Sequence, residues 1–261
     1  MSRVDGAGQW DGSWNQSGGE QVRGPVAELR AFFDAALLRP VGGQQPDPPS
    51  ARTRRRVVAA VTLVVGSAAL AWALRIRPGD PLFYTASLAL AAAWGVGAVA
   101  SGPLHFGRGH TRSGGPAARP VAQSLALGTL LLAAFLAGAL VVARIPMLRA
   151  PVDALLDHAR FGSLPVVLTV TVLNGVVEEL YFRGALYAAL PSHAVAVTTV
   201  LYALTTVGSG IPLLVLAAAV LGLVTALQRR ATGGILGPII THVTWSTGML
   251  LLLPPALELT R

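Results

Sequence analysis

"NGVVEELYFRGALY", residues 174–187, decides how the whole chain is read. The residues before it, from Leu164 to Val177, are almost all apolar, and an apolar stretch follows. Glu178, Glu179 and Arg183 therefore interrupt a segment that otherwise reads as membrane-embedded. A charged side chain at the centre of a membrane helix costs about 2.5–3.5 kcal/mol on insertion scales, so such residues usually face a bundle interior and have a job there. On a helix, Glu179 and Arg183 stand four apart on one face, where they can form an ion pair. Glu178 is rotated by about 100° from Glu179 and shares a second stripe with Thr171, Asn174 and Tyr181. Two readings stand. The pair could simply fix helix register, with Glu178 at the water boundary, or the two polar faces could line a reaction site.

The rest of the chain supports a membrane reading. Of its 261 residues 53% are hydrophobic and only 12% charged, against about 25% charged in soluble domains. The net charge of +8 does not point to nucleic acid, because the arginines flank apolar runs as the positive-inside rule describes. Neither a stacking platform nor a basic reading helix is present. The absence of cysteine excludes disulfides, thiolate metal sites and cysteine nucleophiles. All the basic residues are arginine, a bias that suggests a GC-rich bacterial genome.

Residues 1–50 read as a disordered cytoplasmic tail, lacking the apolar core of a signal peptide. Within it an amphipathic helix is predicted at about 26–39, either on the membrane surface or packed on the cytoplasmic end of the bundle. The basic cluster "RTRRR" (52–56) precedes the first long apolar run and places the amino terminus in the cytoplasm. Apolar runs follow at 57–74, 82–100, 121–143, 164–190, 194–207, 211–227 and 233–253. Most approach the roughly 20 residues needed to span a bilayer; the fifth is short. The expected architecture is an all-α, polytopic bundle of seven to eight membrane helices over residues 51–261, in the cytoplasmic (inner) membrane.

Two further segments carry polar residues. "TGGILGPIITHVTWSTG" (232–248) puts His242 and Ser246 on one helical face beside Trp245. A histidine deep in such a span serves as proton acceptor, hydrogen-bond donor or metal ligand, or simply bonds a neighbouring helix. Gly233, Gly234 and Pro238 mark a boundary or kink before it. "TTVLYALTTVG" (198–208) places Thr198, Tyr202, Thr205 and Thr206 at helical spacing. Threonines so placed ordinarily bond their own backbone. His193, in a "PSH" loop, reads as solvated.

Taken together, these segments resemble the CPBP family of CAAX-processing and bacteriocin-processing intramembrane proteases, also called Abi proteins. Its first motif, EExxxR, is matched by Glu178, Glu179 and Arg183, followed by Gly184. "TGGILGPIITH" resembles the run that carries its third motif, through Thr232, Gly233, Pro238 and His242, and Gly222 falls where the family often has glycine. The resemblance covers about residues 165–253. Two positions depart from it. In the second motif, FxxxH, Tyr202 takes the Phe position and Thr206 that of His. In the third, Ser246 stands where Asn is common. The resemblance implies that Glu178 is the base activating a water and His242 an oxyanion donor. Thr206 could at most orient a water by its hydroxyl, and Ser246 could donate one hydrogen bond. It also implies a metal-free reaction with no cofactor. The carboxylates and His242 fall short of the open three-ligand set of catalytic zinc, and HExxH is absent.

The expected activity is endopeptidase cleavage of a membrane-associated peptide or protein within the lipid bilayer. The departures at Thr206 and Ser246 motivate an alternative, an inactive pseudoprotease that binds or shields a partner as an immunity protein would. A proton-coupled transporter ranks last, because no internal repeat of the kind common in such folds is visible.

Overall fold

The computed structural model of the protein describes residues 24–41, 48–77, 79–111, 117–160 and 163–258. The expected tail thus lies outside the described residues up to position 23, and so do 42–47 of the linker after it. Among the described residues the fold is all-helical, apart from one isolated bridge between Gly109 and Ala118.

The apolar runs become α2 (Pro49–Ala73), α3 (Leu82–Ser101), α4 (Val121–Val142), α6 (Leu164–Glu179), α8 (Ala194–Thr206), α9 (Pro212–Thr232) and α10 (Leu236–Glu258). Around them lie α1 (Pro25–Phe33), α5 (Pro146–Arg160) and the single turn α7 (Tyr187–Ala189). Six helices are long and apolar enough to cross a membrane, α6 being continuous in this respect to Ala189. Ala194–Ser209 is a shorter apolar helix, so the fifth run forms a helix that falls short of a full span. α1 does not add an eighth span. It continues through a π-helical turn, Asp34–Leu38, that packs on α9 and α4, and the Val41 amide bonds the Ala231 carbonyl (2.8 Å). The helix near residue 30 is therefore docked on the end of the bundle. One element escaped the hydropathy reading: α5, too polar for an apolar run, with Leu156 buried beside Ala143 and Leu257.

Proline at the first turn starts α2, α6 and α9, where its missing N–H has no helical partner to lose. α9 stops at Gly233, whose left-handed backbone (φ 69°) caps it. Gly234 answers to packing. The loop of His105–Arg108 lies across it, with hydrogen bonds from the Arg108 amide to Thr232 (2.8 Å), from Ile235 to His105 (2.9 Å) and from Leu236 to Phe106 (3.0 Å). A Cβ on Gly234 would collide with the backbone of Phe106 and Gly107. Gly233 and Gly234 thus end one helix and admit a loop that sets the start of the next.

α10 packs on α4 and α6, α3 on α2 and α6, and α8 on α9. Where these layers meet, an aromatic row fills the centre. Trp94 stacks on Tyr181 (4.5 Å between centroids), Tyr181 meets Phe182 edge-on (4.9 Å), and Phe182 meets Tyr202 edge-on (4.8 Å). The Tyr181 hydroxyl donates to the Ala59 carbonyl on α2 (2.6 Å), so this buried ring leaves no polar atom unpaired. Valines and leucines such as Val61, Val64, Leu88, Val96 and Leu216 point outward, as a lipid-facing surface requires.

Candidate active site

The site begins where α6 changes pitch. After Glu179 the helix widens into a π-helical turn, Leu180–Leu186, before resuming at Tyr187. Such turns are rare, mostly single-turn bulges inside α-helices, and are frequent at functional sites. Nothing in the hydropathy pattern signals this one. Every residue from Tyr181 to Leu186 is buried, and the Arg229 Nε on α9 donates to the Arg183 carbonyl inside the widened turn (2.8 Å).

The i,i+4 ion pair is formed. Arg183 Nη1 donates to Glu179 Oε1 at 3.1 Å, with both side chains fully buried. Arg183 Nη2 donates to the Gly222 carbonyl on α9 (3.0 Å). His242 Nδ1, on α10, lies 2.8 Å from the same Glu179 Oε1. One carboxylate oxygen thus receives a guanidinium and an imidazole from two different helices. A carboxylate accepts, so Nδ1 carries the ring proton and Nε2 is left to act on something else. Charges taken out of water need such partners, since an isolated buried carboxylate is very costly. Here Arg183 compensates Glu179, and Glu179 orients His242.

Glu178 faces elsewhere and is only partly buried. Its Oε2 accepts a hydrogen bond from the Tyr202 hydroxyl at 2.7 Å. Its Oε1 has no protein partner among the described residues. His242, Glu179 and Arg183 lie within electrostatic reach of it. The Tyr202 and His242 rings are 6.5 Å apart between centroids, so the two sequence constellations, from α6 and α10, converge at one place beside Tyr202 of α8.

The remaining candidates are disposed differently. The Thr206 hydroxyl donates to the Ala203 carbonyl of its own helix (2.7 Å), as Thr198 and Thr205 do to theirs. Ser246 Oγ makes a long contact, 3.4 Å, to the Val243 carbonyl, at the limit of a useful hydrogen bond. A Cβ on Gly175 would stand 3.6 Å from His242 Cδ2 and 3.7 Å from Ser246 Oγ, so Ser246 and His242 share one wall against α6. His193 is exposed, paired only with Ser192 (3.1 Å). Four buried polar atoms around the site have no protein partner: Asn174 Oδ1 and Glu179 Oε2 on α6, Arg183 Nε in the π turn, and Trp245 Nε1 on α10. Groups of this kind are normally satisfied by water or a ligand.

Sequence reasoning placed Tyr202 only as an occupant of a Phe position. The signal that could have raised it is chemical: a hydroxyl added to an aromatic position on a helix that faces a carboxylate. Glu179 Oε1 is saturated by Arg183 and His242, and no group of three His, Cys, Asp or Glu among the described residues is arranged to hold an ion.

Residues 160–248 match the protein family described as Rce1-like, type II CAAX prenyl endopeptidase Rce1-like. That interval contains α6, the π turn, α8, α9 and the site-bearing part of α10. Searches of curated proteins and of solved structures return no match.

Proposed function

We propose that the protein is an intramembrane endopeptidase in which Glu178 activates a water for attack on a peptide bond of a membrane-associated peptide or protein. The family is one of proteases. The observation that carries the finer reading is the asymmetry of the two adjacent carboxylates. Glu179 is fully buried and bound to Arg183 and His242, whereas Glu178 is partly exposed with one oxygen held and the other unengaged. Two titratable groups in different environments are suited to different tasks. Glu179 organises, and Glu178 reacts.

The steps follow from the groups present. Glu178 Oε1 takes a proton from water as the water oxygen bonds to the substrate carbonyl carbon. The oxyanion that forms is met by the His242 ring, which Glu179 holds in place through Nδ1. On collapse the C–N bond breaks, and Glu178 returns its proton to the departing amine. An acid–base group of this kind contributes about 10²–10⁴-fold and one oxyanion donor about 10²–10³-fold. These steps call on no metal; Glu179 Oε1 is engaged by Arg183 and His242.

The test is cleavage of single-span peptides in proteoliposomes, with products mapped by mass spectrometry. Glu178→Gln keeps the size and a hydrogen-bond acceptor for Tyr202 but cannot take the proton, and product formation should fall at least about 10²-fold. Equal cleavage by the two proteins would refute the assignment. A wild type that cleaves nothing, beside a Thr206→His variant that does, would favour a lapsed protease; the Thr206 hydroxyl bonded back to Ala203 is the observation on that side.

A further inference from the structure

The Tyr202 hydroxyl is the only protein donor on Glu178 among the described residues, and its position is built by several elements. The ring is buried, with 7% of its surface exposed. On one side the Arg183 guanidinium carbon lies 4.7 Å from its centroid. Phe182 meets it edge-on. Behind it runs α9, where Gly222 leaves room: a Cβ there would stand 3.1 Å from Tyr202 Cδ1, closer than a ring tolerates without moving. Arg183 therefore touches both polar systems, binding Glu179 through Nη1 and backing the ring that binds Glu178. Thr206, one turn further along α8, offers Glu178 no bond, because its hydroxyl proton goes to Ala203.

We infer that Tyr202 is a positioning residue of this site: its phenolic O–H fixes Oε2 of Glu178 and thereby presents Oε1 to the attacking water. The inference rests on the reading of Glu178 as the general base. A carboxylate on a side chain with three rotatable bonds has many orientations; one charge-assisted hydrogen bond at 2.7 Å from a wedged ring selects among them. Here the second oxygen is left without a protein partner. The side chain that holds Glu178 is thus Tyr202, and the position one turn on is relieved of that duty.

The experiment compares wild type, Glu178→Gln, Tyr202→Phe and Tyr202→Phe/Thr206→His, full-length in phosphatidylglycerol-containing proteoliposomes, on the same single-span peptides. Tyr202→Phe removes one oxygen and keeps the ring against Arg183 and Phe182. It should lower kcat by about 10- to 100-fold, the range of a hydrogen bond to a charged group, while leaving KM within about twofold, since substrate contacts are untouched. The double variant places an imidazole one turn away on the same face and should recover a large part of the loss, which a purely packing role of the ring would not allow. Wild-type kcat in Tyr202→Phe, with Glu178→Gln silent, overturns the role of Tyr202 and leaves the hydrolytic reading standing. Equal turnover by Glu178→Gln and wild type, or none in any variant, overturns the reading beneath it. One measurement needs no turnover: the infrared band of a ¹³C-labelled Glu178 carboxylate, identified by its loss in Glu178→Gln, should shift in Tyr202→Phe. An unshifted band would remove the contact itself.

Discussion

Removing Arg183 tests whether the buried charges at the site are arranged as a compensated set. Glu179 and Arg183 are fully buried, 3.1 Å apart, and Arg183 also supplies a bond to the Gly222 carbonyl. Two unit charges at that distance attract by about 5 kcal/mol at an effective dielectric of 20. Removing one partner of such a pair costs about 3–5 kcal/mol, mostly because the other charge stays buried and unpaired. Arg183→Gln should therefore lower the apparent unfolding midpoint in a mild detergent by roughly 6–20 °C, taking 2–4 °C per kcal/mol for a chain of this size. Scan rate and detergent must be fixed, since such unfolding is often irreversible. Glu179→Gln/Arg183→Gln should be less damaging than Arg183→Gln alone, because no uncompensated charge remains. Arg183→Lys should fall between, keeping the charge but losing the fork that reaches Gly222. Should Arg183→Gln melt within about 2 °C of wild type, Glu179 is not relying on it. Additive losses in the double variant would instead assign the arginine's role to packing on Tyr202.

Two further predictions concern the scaffold. Gln228 is fully buried and joins three helices, donating from Nε2 to Ser124 Oγ (2.9 Å) and accepting from Thr241 Oγ1 at Oε1 (2.9 Å); Gln228→Ala removes both bonds, leaving Ser124 Oγ its bond to the Pro120 carbonyl and Thr241 Oγ1 that to the Ser124 carbonyl, and at about 0.5–1.5 kcal/mol per bond it should lower the detergent midpoint, with an unchanged midpoint as the refuting result. Gly234→Ala places a methyl in the backbone of Phe106 and Gly107, and at about 1–3 kcal/mol for such overpacking it should speed amide exchange at Arg108, Ile235 and Leu236 by about 5- to 150-fold; exchange at the wild-type rate would show that the loop is not held there.

What the sequence disclosed depends on the range of the forces involved. Hydropathy reports a helix's preference for lipid, which each segment expresses independently, so the six long helices and the short seventh were legible. The Glu179–Arg183 pair was legible for the same reason, being local to one helix face. α5 was not, because an amphipathic helix of ordinary polarity carries no lipid signal. The π turn was not either: one extra residue in a turn leaves composition unchanged, and its stabilising partners, such as Arg229 on α9, come from elsewhere in the chain. His242 could be picked out as an anomaly in an apolar span. That its Nδ1 meets Glu179 follows only from the packing of α10 on α6, 63 residues away. The Gly233–Gly234 pair announced a helix boundary but not the loop that crosses it.

The departures at positions 202 and 206 illustrate the same limit and point beyond it. Taken one at a time, Thr206 reads as a lost imidazole and Tyr202 as a conservative aromatic exchange, and the sum suggests a weakened site. They are one turn apart on the same face of α8, so their effects on Glu178 are not independent. The structure gives the hydroxyl at 202 the bond to Glu178 and returns the hydroxyl at 206 to the backbone. The hydroxyl that reaches Glu178 from α8 thus stands one turn before Thr206, and Gly222 leaves space for the ring that carries it. A motif compared position by position records two changes there, whereas the carboxylate they serve still receives one hydrogen bond from α8. On the proposed reading, the Tyr202→Phe comparison therefore asks whether that one bond orients Glu178 for water.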